Sequence, residues 1–65
     1  MMDNNPKIEI MKGFAKTIGT NTLTILLHEY NGRTQEAELL RKENEKLEDI
    51  IRRLITLYYR GLENE

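Results

Sequence analysis

The feature that most constrains this chain is a heptad seam from Ala37 to Gly61. With Ala37 written as position a, the a positions are Ala37, Asn44, Ile51 and Tyr58, and the d positions are Leu40, Leu47 and Leu54, with Gly61 closing the series. A 3.5-residue repeat of this kind lets a helix bury one continuous stripe against another helix. Asn44 is the one polar residue in the stripe. A lone Asn at an a position stabilises poorly but selects parallel, in-register pairing with its own copy, so Ala37, Leu40, Asn44, Leu47, Ile51, Leu54 and Tyr58 are expected to form an oligomer interface. The alternative is that Asn44 is solvated on a short helix.

The flanks of the seam refine this. Glu36 at g suits Arg41 at e of a parallel partner, whereas Glu43 at g would face Glu48 at e. Further on, Ile50, Ile51, Leu54, Ile55, Leu57 and Tyr58 make an apolar stripe nearly half the helix wide. A two-stranded zipper needs only a and d dry, so this half of the helix must touch more than one neighbour. Thr34 is placed as the N-cap, acidic residues crowd the first half of the helix, and Arg52, Arg53 and Arg60 occupy the second. That polarity suits the helix dipole. Gly61 is expected to end the helix in a left-handed cap, with Leu62 folding back on Leu57.

Upstream, Asn31-Gly32 is the clearest punctuation, because both residues tolerate positive φ. Only residues 31–33 separate a first ordered segment, 7–30, from a helix over 34–60, and so short a connection joins antiparallel neighbours. Read as a helix, the first segment puts Ile8, Met11, Ala15, Ile18, Thr22, Ile25 and Leu26 on one face, with Phe14, Leu23 and Tyr30 at its rims and Lys16, Thr17, Thr20, Thr24 and His28 opposite. Gly13 and Gly19 each cost a helix about 1 kcal/mol relative to Ala. The rival reading is a short strand at 7–14 and a helix from about Asn21, and a kink near Gly19 is the intermediate case. The expected fold is therefore an all-α helical hairpin over 7–61, dimerising through its second helix, with tails at 1–6 and 62–65. A ribbon-helix-helix arrangement is the alternative.

At 65 residues one domain is the limit, near the size where a lone core is marginal, and a dimer would roughly double the buried surface. The absence of cysteine removes disulfides and thiolate metal sites and fits a reducing, cytoplasmic setting. Nothing apolar is long enough to span a membrane, and no signal peptide is expected. The net charge of −1 does not describe a polycation seeking phosphate. No nucleotide-binding, zinc-protease or nucleophile-elbow motif occurs, so no catalytic residue, cofactor or metal is expected and the chain reads as a non-enzyme. His28, the one histidine, reads as a solvated surface residue.

The geometry resembles the Rop family of plasmid copy-number proteins: two helices, a tight turn and a dimeric four-helix bundle. Thr22-Leu23-Thr24-Ile25-Leu26 is similar to a segment of that family's first helix. The resemblance implies a first-helix face that binds paired RNA loops, with Phe14 as the aromatic and Lys12 and Lys16 as phosphate contacts. Asn31-Gly32-Arg33-Thr34 is also similar to the inter-helix turn of the Arc and Mnt type of ribbon-helix-helix repressors. That family would place a DNA-reading strand where Met11 to Lys16 stands, although Gly13 and the lack of a helix-opening Pro depart from its pattern. Arg52, Arg53 and Arg60 with Tyr58 and Tyr59 form a basic-aromatic cluster that suits an acidic surface or nucleic acid.

The function expected from these readings is that of a small regulator or inhibitor, similar to phage- or plasmid-encoded modulators. It would act as a homo-oligomer that binds another protein. The alternative is a nucleic-acid-binding regulator resting on Lys7, Lys12, Lys16 and Arg33. Candidate partner contacts are Lys12, Phe14, Lys16, Arg33, Arg52, Arg53 and Tyr59.

Overall fold

The computed structural model describes residues 5–63. They form α1 (Pro6–Tyr30) and α2 (Thr34–Glu63), two antiparallel helices joined by a three-residue connection. Among the described residues there is no strand, so the segment 7–14 is helical and the ribbon-helix-helix alternative is set aside. Both expected terminal tails lie partly outside the described residues. Within them, helix begins at Pro6 and runs on to Glu63.

Each terminus has a local cause. Asn5 is extended and its Oδ1 accepts the Lys7 N–H at 2.8 Å, while Pro6 takes the first helical position, where no N–H is needed. At the far end of α1 the Arg33 N–H donates to the His28 carbonyl at 2.8 Å and the Gly32 N–H to the Glu29 carbonyl at 3.1 Å. That is the paired bonding of a Schellman cap, and it requires the left-handed φ of +74° that Gly32 adopts. The Asn31 side chain adds a bond to the Leu27 carbonyl at 2.8 Å.

The start of α2 departs slightly from expectation. The Ala37 N–H bonds the Arg33 carbonyl at 3.2 Å, so Arg33 takes the flanking position and Thr34 the first helical one. Its end departs more. Gly61 is helical, and Gly32 is the one described glycine with positive φ, so the expected cap at Gly61 does not form.

α1 runs unbroken through Gly13 and Gly19. The Thr-rich stretch is accommodated by hydroxyls that bond back one turn: Thr17 to the Gly13 carbonyl, Thr22 to Ile18 and Thr24 to Thr20, at 3.3, 2.9 and 3.0 Å. Packing against α2 outweighs the poor intrinsic propensity of this segment.

The register is fixed by Asn21, whose Nδ2 donates to Asn44 Oδ1 at 3.0 Å. Seven-residue steps from that pair bring His28 opposite Ala37 and Phe14 opposite Ile51. On the same register Ile25 lies opposite Leu40, Ile18 opposite Leu47 and, beyond Phe14, Met11 opposite Leu54. All of these residues are buried or half-buried. Ala37 is fully buried and Ile25 nearly so, and they are the only buried hydrophobic residues among those described. The small Ala37 lets the helices approach closely beside the tight turn.

The hairpin is one helix deep. Its Cα radius of gyration is 15.2 Å, against about 11 Å for a compact domain of this length. Its extents are 51 × 20 × 11 Å. None of the described helices is long and apolar enough to cross a membrane.

Candidate interaction surfaces

The seam predicted from Ala37 to Tyr58 exists, but its partner in the structure is α1 of the same chain. Within the chain Asn44 is engaged by α1. It accepts from Asn21 and donates to Thr22 Oγ1 at 3.5 Å, while Asn21 also donates to Glu43 Oε1 at 3.3 Å. The three-residue turn delivers α1 to the stripe as an antiparallel neighbour at high effective concentration. One ion pair closes a flank of the seam, where Arg41 at position e reaches Glu29 of α1.

α1 meets α2 with a face different from the expected one. Met11, Phe14, Ile18, Asn21, Ile25 and His28 line the seam at spacings of three and four residues. Ala15, Thr22 and Leu26, assigned to that face from the sequence, are exposed. His28, assigned to the polar face, is half-buried opposite Ala37. The helix is turned by roughly half of one residue step from the sequence assignment. α1 is apolar on more than one side, so its own pattern does not choose the side that α2 takes.

The side left over is the main surface feature. Leu23, Leu26, Leu27 and Tyr30 fall at i, i+3, i+4 and i+7 on the outer face of α1, opposite the seam. They are 59%, 57%, 55% and 91% exposed. Along the same outer face toward the N-terminus stand Lys12 and Lys16. Leu39 of α2 is also exposed near the turn.

The candidate partner contacts do not gather into one site. Phe14 is half-buried in the seam, turned away from Lys12 and Lys16, so the RNA-binding face implied by the Rop resemblance is not assembled within the chain. Lys12 is paired with Glu9 at 3.7 Å. Arg33 sits at the turn, beyond about 21 Å of helix from Lys16 to Tyr30. On α2, Arg52 pairs with Glu48 at 3.6 Å and Arg53 with Asp49 at 2.8 Å, so neither arginine is an uncompensated charge. Tyr59 is exposed and meets the half-buried Tyr58 edge to face, with ring centroids 5.2 Å apart.

Among the described residues there is no pocket and no grouping of three or more His, Asp or Glu side chains close enough to hold a metal ion. Comparison with protein-family models, characterised proteins and solved structures finds no match to this chain. The functional reading therefore rests on the surface itself.

Proposed function

We propose that this chain is a small non-enzymatic regulator that binds and modulates another protein through the outer face of α1. The observation that carries this reading is the stripe Leu23, Leu26, Leu27 and Tyr30, whose side chains are all more than half exposed on one helix face. A helix offering anchors at i, i+3, i+4 and i+7 is the form in which amphipathic helices enter an apolar groove on a partner protein. Large exposed apolar side chains gathered on one face mark interaction surfaces, whereas scattered ones do not.

The charge pattern supports a protein partner over nucleic acid. Lys12, Arg41, Arg52 and Arg53 each lie beside a carboxylate. Phosphate recognition needs several uncompensated cations aligned along one path, and the dispersed basic residues here do not supply it. Residues 36–49 of α2 carry six acids against three bases, which would repel a nucleic-acid backbone.

The test is a paired capture and gel-shift experiment. Leu23→Glu with Leu27→Glu is expected to abolish retention of a co-expressed host or target protein that the wild type retains, without loss of helicity. Lys12→Ala with Lys16→Ala is expected to leave that retention intact. A wild type that shifts DNA or RNA at low salt, and a lysine variant that does not, would overturn the reading in favour of a nucleic-acid target.

A further inference from the structure

We infer that a second copy of this chain stacks on the open half of the hairpin, on the flank formed by Ile10, Thr17, Ile50 and Leu57, and completes the core as a symmetric four-helix assembly. This surface is distinct from the outer stripe of α1 and does not depend on the function assigned to that stripe.

The flanks of an antiparallel seam are built from like heptad positions. Glu29 and Arg41 are both e positions, and their ion pair marks one flank. The other flank carries the g positions: Ile10, Thr17 and Thr24 of α1 with Leu57, Ile50, Glu43 and Glu36 of α2. Its two halves differ in chemistry. Toward the turn it is acidic. Toward the open end it is uncharged, and Ile10, Ile50 and Leu57 are 49%, 38% and 50% exposed. Ile50 and Leu57 widen the apolar arc of α2 beyond what α1 covers, and Ile10 stands beside them on α1.

Three observations identify the occupant as a second copy. First, the patch is continuous with the chain's own unfinished core. In the open half Met11, Phe14, Ile18, Leu47, Ile51, Leu54 and Tyr58 are all half-buried and none is fully buried. Whatever covers this flank therefore extends the same core, so its occupant should accompany the chain wherever the chain is made. A second copy is the one macromolecule always present at the chain's own concentration. Second, the charges select an arrangement. Full side-by-side overlap with the turns at the same end would set Glu36 and Glu43 of one copy near those of the other. Stacking the open halves with the turns pointing apart sends the two acidic stretches to opposite ends. Third, the size suffices. A face about 20 Å long and two helices wide removes on the order of 1,200 Å² from water in total, the lower end of the range for specific assemblies. A micromolar dissociation constant follows better than a nanomolar one.

The two-fold arrangement is isologous, so the same patch meets itself. With the axis across the middle of the open half, Ile50 of one copy lies over Leu57 of the other. The rest of α1, including Leu23 to Tyr30, stays outside the overlap.

Sedimentation over a concentration series reads the assembly directly. The wild type should be dimeric at about 100 µM and dissociate progressively toward 1 µM. Leu57→Lys should be monomeric at the same high concentration, whereas Leu26→Lys, on the outer stripe, should leave the dimer intact. Cysteine pairing covers the case in which the lysine variant fails to fold. The chain has no native cysteine, and positions 50 and 57 of one helix lie about 10.5 Å apart, too far for a disulfide within the chain. Ile50→Cys with Leu57→Cys should oxidise to a covalent dimer far faster than Leu23→Cys. A wild type that stays a folded monomer at the highest concentration overturns the inference. So does a dimer that Leu26→Lys dissociates and Leu57→Lys does not, or a cysteine pair that oxidises no faster than the control.

Discussion

Asn21 and Asn44 invite the most informative perturbation. The pair shares one good hydrogen bond, at 3.0 Å, and the contact from Asn44 to Thr22 at 3.5 Å is too long to add much. Both residues are half-buried. Replacing Asn44 alone by Leu removes a bond worth about 1 kcal/mol and leaves the Asn21 amide partly desolvated, at a similar cost. The partial burial of the new side chain returns about 1 kcal/mol. The single variant should therefore be less stable by about 1 kcal/mol. Replacing both by Leu leaves no orphaned polar group and adds two apolar contacts to the seam, so the double variant should gain about 1 to 2 kcal/mol. In a domain of this size those changes correspond to a melting temperature lower by roughly 5 °C and higher by roughly 8 °C. Thermal and urea unfolding of the wild type, both single variants and the double variant, followed by circular dichroism at one fixed chain concentration, gives the coupling energy. Additive effects, with Asn44→Leu alone stabilising and the double variant simply the sum, would refute the reasoning, because they would mean that the two amides do not interact.

Further expectations concern the helices and the turn. Gly13→Ala and Gly19→Ala each place a methyl group in open space and should stabilise by about 1 kcal/mol in urea titrations. Gly32→Ala forces a side chain into positive φ and should cost about 1 kcal/mol in the same assay. Leu47→Asp puts an unpaired carboxylate opposite Ile18 and should lower stability by about 3 kcal/mol, enough to erase most of the helical signal at 25 °C. Arg41→Ala removes a half-exposed ion pair and should change stability by no more than about 0.5 kcal/mol, an effect that moderate salt should already suppress in the wild type.

Much of this architecture was legible in the residues. The heptad spacing from Ala37 to Tyr58 and the Asn31-Gly32 punctuation give the hairpin, because each reflects local backbone and packing rules. The partner of Asn44 was not legible. One helix carries the same seam whether its mate runs parallel or antiparallel, and the short turn decides the matter. The sequence does not choose the inner face of α1, because apolar residues stand on two sides of that helix and only the register with α2 tells which side is inside. His28 shares the same ambiguity. Gly61 stays helical although its residue type favours termination, an instance of glycine permitting a cap without enforcing one. The outer stripe was present in the sequence as Leu23, Leu26, Leu27 and Tyr30 at helical spacing. The pattern alone does not mark it as a surface, because Leu26, with Leu23 and Tyr30 at the rims, also fits an apolar arc facing the core.

The three-residue connection between α1 and α2 also sets the order of events when the chain folds. Closing so short a loop carries little entropic cost, and every seam contact lies within one local hairpin, so the two helices should zip together rapidly from the turn outward. Docking of the second chain inferred above would be a bimolecular step on a slower scale. Refolding followed by stopped flow should then separate into a fast phase indifferent to protein concentration and a slower one whose rate grows in proportion to it. The fast phase should be carried by the end of the rod nearest Gly32, the slow one by the end nearest Ile10.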